Sequence, residues 1–599
     1  MAACLAGAAL VSGPIDEQRV ALQLTYNTET GEEVPPGIAL SQAALGSFRG
    51  LAVDLMWYRA TQLKQDGKYR EANELSQWIC LLQPRFEKVW VFHAWNMSYN
   101  ISVATHTPRE RWQWVNKGIR LLRDQALDAN PSSVLIKKEL GWIFFHKIGA
   151  MSDDQHWYYR SRLAEEWQIL LGSPEGLTGE EAIARILKVA EAPDDLKILR
   201  QDTTVAELLD HLATLGYEPD ERLLVAIGRI QLYRGLRGDP RLVPVMEGPL
   251  AEGLPALVAY LRKLVLTGRY NMDPARMHEL MERFGPLDWR HPVAHSAYWS
   301  QLGIDAAART RRKKDIDQLN TDRLIIHSMQ TLTGTGRLSF DPFSDVVDML
   351  PDPRFIKSYE RALEAGIARI ESEEWGKGTK DSYDSGHENF VTRAMWLSYM
   401  YGDEAQAREY FEQWRREYRE LHHNRKRRDM TLRELVLDEM ENADLFENKS
   451  GFIDAMLRRA YIEGMARNRQ DVFNRYFSMA KEAHENHQAS KNTVAAAARD
   501  RMKLVTFEER RRTVYRSIMV DPRVPILYRH RIWRRSPLEH RLDVYEDVRD
   551  IVHEHAKAQG LKPEVVLPEP KETEEQRRAR ELKRQQQQRD TGKLLIEGK

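Results

Sequence analysis

The chain has 599 residues, 42% hydrophobic and 30% charged, a balance that suits a water-exposed helical protein of several domains or one extended array. Lys plus Arg and Asp plus Glu both total 89, so no global charge directs the chain to nucleic acid or to a membrane surface, and an electrostatic partner must be met by a local patch. Two cysteines, Cys4 and Cys80, exclude a disulfide framework and a cysteine-built zinc site.

Residues 1–13, MAACLAGAALVSG, are apolar and uncharged, but shorter than the about 20 residues of a bilayer span, and no basic stretch precedes them. They read either as an N-terminal strand or as the end of a membrane anchor or signal shortened by a late start codon. On the second reading the protein is membrane-associated; otherwise it is cytoplasmic. Residues 14–44 are a polar connector, with a short strand expected from Val20 to Leu24. From residue 45 the period turns helical. Residues 55–84, LMWYRATQLKQDGKYREANELSQWICLLQP, form a helical hairpin around Gly67 and stop at Pro84. Leu55, Trp57, Leu63, Ala72, Leu75 and Ile79 are expected to line its buried seam, and residues 38–52 to cap its upstream face. Trp90-x2-His93-Ala94-x2-Met97 opens a second hairpin whose partner helix runs from Trp112 to Asp128. Pro131 then falls about 13 residues later than a 34-residue repeat requires, an excess expected in an inter-helix loop from Asn100 to Pro108. Leu140-Gly141-x2-Phe144 opens a third hairpin, with His156 to Leu171 as its partner helix.

Residues 172–288 keep the helical period without the repeat and read as an irregular helical insert. Thr178-Gly179-Glu180-Glu181 has the capping-box form, and Asp202 and Asp220 mark further helix starts. The repeat returns over 289–489, with Trp299-x2-Leu302-Gly303-x2-Ala306 and Gly402-Asp403-x3-Ala407-x3-Phe411 separated by a loose connection from Gly334 to Pro353. Residues 490–562 form a basic helical region, Lys and Arg concentrating between Arg501 and Arg535. Residues 563–599, charged and Gln-rich, are expected to be a disordered tail. The fold class expected from this pattern is all-α.

Gly67, Tyr69, Ala72 and Pro84 fit the second half of the tetratricopeptide signature, and the hairpins resemble that family over residues 51–171 and 295–487. The block 45–171 also resembles uncharacterised membrane-tethered bacterial tetratricopeptide-like proteins, in the strings QPRF at 83–86, AWN at 94–96, ELGWIFFHKIG at 139–149 and HWYY at 156–159. The resemblance implies a right-handed α-solenoid whose concave face binds peptides or other proteins.

No phosphate loop, dinucleotide fingerprint or nucleophile elbow occurs in the sequence, so nothing supports catalysis or calls for a cofactor. Asp153, Asp154 and His156 could serve a metal or acid–base chemistry, but a polar helix N-terminus explains them more simply. The histidines at 484, 487, 553 and 555 read as solvated. Most of Trp90, Trp95, Trp112, Trp114, Trp142 and Trp157 should lie within hairpin cores, leaving a minority for a partner. Candidate partner-binding residues are Trp90, Asn96, Asn100, Lys117 and Trp142, the amides and the lysine suiting a peptide backbone or a carboxylate. The basic runs at 309–314, 424–428 and 501–535 read either as solvated faces or as anion-binding patches. Arg510, Arg511, Arg512, Arg531, Arg534 and Arg535 are the candidates for an anionic surface or nucleic acid. The leading expectation is a non-enzymatic scaffold for a protein or peptide partner, and the alternative is RNA or an anionic surface held at the basic region.

Overall fold

The computed structural model describes residues 49–571 other than 234–237, 311–315, 343–344, 373–376, 421–424, 443–448, 491–504 and 523. The N-terminal apolar segment, the connector, most of the expected cap, most of the first basic run, His487 with its surrounding side chains, and the tail beyond 571 lie outside the described residues or side chains. The described chain is all-α apart from one two-stranded sheet. Among the described residues no single helix is long and apolar enough to cross a membrane. The contacts divide the chain into two compact units, residues 1–89 and 90–599.

In the first unit, helices Arg49–Gln65 and Tyr69–Leu82 meet at Gly67, whose φ of 74° costs glycine nothing. The seam holds Val53, Ala60 and Leu63 against Ala72, Ile79 and Cys80, all buried. Leu55, expected in that seam, is 70% exposed; with Leu51 and Tyr58 it forms the outward face of its helix. Burial drives the Cys80 thiol pKa far upward, so the sulfur stays protonated and packs as a small apolar group.

In the second unit, local sequence signals set the helix starts. Thr107 and Thr178 form capping boxes with Glu110 and Glu181, and Asp202 and Asp220 cap their helices as the sequence suggests. The expected loop from Asn100 to Pro108 is mostly helix. Asn96–Ile101 continues the preceding helix as a π-helix and Ser102–Ala104 extends it, leaving three residues before Pro108. The residues assigned to that loop instead lengthen the helix, and π-helical turns at Asn96–Ile101 and Leu121–Ala126 each fit an extra residue without breaking the ladder. A third such turn follows at Ile143–Gly149 and a fourth at Ala460–Met465.

The insert is interposed in sequence, yet helix Pro292–Thr310 packs directly on Val134–Trp142 and Ile143–Gly149. Gly141 permits that approach: a Cβ there would meet the Ser300 hydroxyl at 2.8 Å and the Ser296 carbonyl at 3.2 Å. Helix His156–Leu171 packs on Glu221–Leu232 of the insert at Gly228, where a Cβ would lie 2.2 Å from the Ile169 carbonyl oxygen. Backbone cannot step aside as a side chain does, so Gly228→Ala should cost about 1–3 kcal/mol. Gly268→Ala, in helix Leu254–Tyr270 with nothing within 4 Å of its Cβ, should instead gain up to about 1 kcal/mol. Urea midpoints of the two variants check this, and midpoints moving in the same direction would contradict it.

The segment Gly334 to Pro353 is not a loose connection. It holds β1 (Arg337–Asp341) and β2 (Val346–Leu350), antiparallel with Ser339 opposite Asp348. Leu338 and Phe340 alternate inward with Val347 and Met349, and they pack on Ala164, Leu232 and Tyr233. That burial makes a two-stranded sheet stable here. Residues 563–571, read as the start of the disordered tail, are ordered. Pro563–Val566 is a short helix, Val566 and Leu567 are buried, and the Trp533 indole N–H donates to the Pro568 carbonyl at 2.8 Å. Val566 and Leu567 carry the buried apolar contact that docks this stretch.

Candidate functional site

Two helical runs carry aromatic rings four residues apart. In one, Trp95 and Tyr99 stack with centroids 4.4 Å apart, across the entry to the π-helix Asn96–Ile101. In the other, Trp142 and His146 stack at 4.9 Å and 8° between planes, across the entry to Ile143–Gly149. The two π-helical turns touch, which joins the pairs: the Tyr99 ring lies 5.9 Å from His146, and Phe145 adds a fifth ring 6.1 Å from Trp142. The result is a continuous ladder, Trp95–Tyr99–His146–Trp142–Phe145. Trp95 is exposed and the other four are half-buried.

Polar groups fix this ladder. The Trp95 indole N–H donates to Glu139 Oε2 at 2.9 Å, and Glu139 pairs with Lys138 at 3.1 Å. Lys138 also reaches Asp317 at 2.7 Å, which anchors the rim to the neighbouring hairpin. The Lys147 ammonium stands 5.1 Å from the Tyr99 ring. Burial, with the Lys147 charge beside it, holds His146 below its ordinary pKa, so the imidazole is neutral at pH 7 and stacks as a neutral ring. Burial and the nearby Glu139 push the Tyr99 phenol up. Lys147 itself forms a buried pair with Asp153, and the Arg111 guanidinium holds Asp154 at 2.5 Å. His156 Nδ1 lies 2.8 Å from the Asp153 carbonyl. The Asp153–Asp154–His156 group is thus a structural network beneath the ladder.

The sequence-selected residues are partly brought together. Asn96 is buried and accepts a hydrogen bond from the Asn100 amide at 3.0 Å, next to Trp95 and Tyr99. Trp142 is in the ladder. Trp90, 5% exposed, is core. Lys117 is exposed over the Trp114 ring at 4.1 Å. Trp112, Trp114 and Trp142 are half-buried, and Trp95 and Trp157 exposed, so these tryptophans do not mostly fill hairpin cores. Trp95 was named from sequence only among the hairpin tryptophans, and Tyr99, Phe145 and His146 were not named as candidates, although the i, i+4 aromatic pairs in successive hairpins were the available signal.

Within the basic region, Arg510, Arg511 and Arg512 are paired with carboxylates of the same chain. Arg510 pairs with Asp454 at 2.8 Å, Arg511 with Glu508 at 2.7 Å and Asp543 at 2.6 Å, and Arg512 with Asp547 at 3.0 Å. Arg511 is a core side chain, 2% exposed. Arg535 donates to the Met465 and Ala466 carbonyls at 2.8 and 2.9 Å, capping the end of the π-helix. Arg534 is exposed and Arg531 half-buried. The histidines expected in solvent are also engaged. His484 is buried with Nε2 2.9 Å from the Val505 carbonyl, His555 Nδ1 lies 2.8 Å from Arg529, and His553 Nε2 lies 3.4 Å from the Leu567 carbonyl. Each sits where a distant segment folds back over its helix, which spacing along one helix does not reveal. Comparison with protein-family models, with curated proteins and with solved structures finds no match for this chain.

Proposed function

We propose that the protein is a non-enzymatic scaffold, a tetratricopeptide-like α-solenoid that holds a segment of a partner protein. The observation that carries this reading is the five-ring ladder across two touching helical runs. Rigid aromatic rings offer contact area at little entropic cost, and tryptophan and tyrosine dominate the energetics of protein interfaces. Glu139, pinned by Trp95 and Lys138, supplies a polar edge that orients an extended chain. The basic region supports the nucleic-acid alternative less well, because Arg510, Arg511 and Arg512 already face carboxylates.

Panning a random peptide display library on the protein, then measuring the selected peptides by fluorescence anisotropy, tests the proposal. Trp95→Ala and Trp142→Ala should each weaken those peptides at least about tenfold, or about 1.4 kcal/mol. Both rings lie at the surface or half-buried, so far-UV circular dichroism should stay unchanged. Selected peptides that bind the double variant as tightly as the parent protein would overturn the reading.

A further inference from the structure

Away from the ladder, the insert meets the end of helix His156–Leu171. Helices Gly179–Ala190 and Leu254–Tyr270 of the insert pack on each other. Each sends one arginine, Arg185 and Arg262, to carbonyls at the end of that helix. Arg185 Nη1 donates to the Ser173 carbonyl at 2.9 Å, and Arg262 Nε to the Leu170 carbonyl at 2.9 Å. Between those carbonyls the chain turns at Gly172, whose φ is 75°. Both guanidiniums converge there: a Cβ on Gly172 would collide with Arg185 Nη2 and lie 3.7 Å from Arg262 Nη2.

Capping uses one N–H-bearing nitrogen of each guanidinium. Among the described residues the two Nη2 groups have no hydrogen-bond partner, and solvent reaches them, both side chains being half-buried. Nor does either arginine have a carboxylate within ion-pair distance among the described residues. The acids of this corner are already engaged. Asp288 pairs with Arg290 at 2.8 Å, Glu175 stands 3.4 Å from the same guanidinium, and Asp194 holds Lys263 at 2.7 Å.

Two like charges therefore face one turn with no counter-ion. Burial, with the Arg185 charge beside it, lowers the Arg262 guanidinium to about 9. Burial also lowers Arg185, with Arg290 adding to the repulsion and Asp288 offsetting it in part. Charges withdrawn from water are normally paired, and an anion between these two would relieve both the repulsion and the lost hydration.

The arrangement also selects among anions. The guanidiniums come from two helices, so they do not make the single planar fork that suits a carboxylate, and together they carry two charges. A tetrahedral dianion offers a separate oxygen to each and neutralises both.

We infer that Arg185 and Arg262 form a binding site for a phosphate group, either inorganic phosphate or a small phosphate monoester, with Nη2 of each arginine donating to a separate phosphate oxygen over the Gly172 turn. The bound anion ties both insert helices to the turn that ends helix His156–Leu171. No ladder residue takes part, so the proposal stands or falls separately from peptide binding.

Isothermal titration of the full chain with inorganic phosphate and with methyl phosphate, at constant ionic strength set by chloride, tests this. At least one should bind with a dissociation constant below about 1 mM, and the tighter of the two identifies the free ion or the monoester as the ligand. Arg185→Gln and Arg262→Gln should each weaken it at least about tenfold while circular dichroism is unchanged. On the parent protein the same ligand should slow hydrogen–deuterium exchange over residues 172–190 and 254–270 and leave 507–535 unchanged, a readout that holds even if neither variant keeps its fold. Dissociation constants above about 1 mM for both ligands, undiminished affinity in both folded variants, or protection confined to 507–535 would overturn the proposal.

Discussion

Arg290→Met is expected to lower the stability of the 90–599 unit by about 3–5 kcal/mol. The Arg290 side chain is 2% exposed, and its guanidinium meets Asp288 Oδ2 at 2.8 Å, Gln168 at 2.7 Å, Ser173 at 3.1 Å and the Leu338 carbonyl at 2.9 Å. One side chain thereby ties helix His156–Leu171, the start of the insert and β1 together. Methionine keeps much of the volume but leaves Asp288, 7% exposed, as a buried carboxylate without its counter-charge, and leaves the Leu338 carbonyl without this donor. The size of the effect comes from those abandoned groups more than from the pair itself, so adding Asp288→Asn should recover part of the loss. Urea denaturation of the two variants and the parent protein measures it. A single-variant loss below about 1 kcal/mol would contradict the description of this cluster as the joint between insert and sheet.

Mild acid is expected to destabilise the same unit, well above the range where carboxylates titrate. Burial lowers His93 from 6.5 to about 4. Burial, opposed by Asp288 and helped by Arg160, lowers His291 to about 3. Burial, with Arg123 nearby, lowers His295 to about 4, and burial with Arg511 lowers His540 to about 3. Folded pKa values below the unfolded one mean that the unfolded chain binds more protons, so stability rises with pH across the gap. It is fully present above about pH 6.5 and is lost as pH falls through 6.5 towards 4. Four such groups approach a difference of four protons, and each proton is worth about 1.4 kcal/mol per pH unit. The urea midpoint should therefore fall steeply between pH 6.5 and 5, and His540→Gln should reduce that slope by about a quarter. A midpoint unchanged between pH 7 and 5 would show that these rings are reached by water in the native state.

What the sequence allowed to be read follows how local each signal is. Gly67, Ala72 and Ile79 announced their hairpin because a positive-φ turn and a thin, apolar helix face are written within about twenty residues. The capping boxes at Thr107 and Thr178 need only four residues, and the one at Thr178 was read correctly from them. The π-helical turns left no such trace: a ladder widened by one residue has no composition of its own, and the loop assigned at Asn100 to Pro108 is the cost of missing it. Leu338 and Phe340 alternate too briefly to stand out, and they form a strand because Ala164 and Tyr233, over a hundred residues upstream, offer a surface. Arg511 read as a cation for a partner since Asp543, its true counter-charge, lies in another helix. Trp90, read as a partner-facing ring, is core, and Trp95, grouped with the core tryptophans, is exposed, for the same reason: the sequence assigns each ring to a helix but not to the ring beside it.

The account of the ladder is tested most directly by hydrogen–deuterium exchange on the full chain with and without a peptide selected on it. Binding at the ladder should slow exchange over residues 95–101 and 139–149 and leave residues 507–535 unchanged, and the protection should vanish in the Trp95→Ala, Trp142→Ala double variant. Protection confined to 507–535, or protection of the ladder segments that survives loss of both indoles, would contradict it.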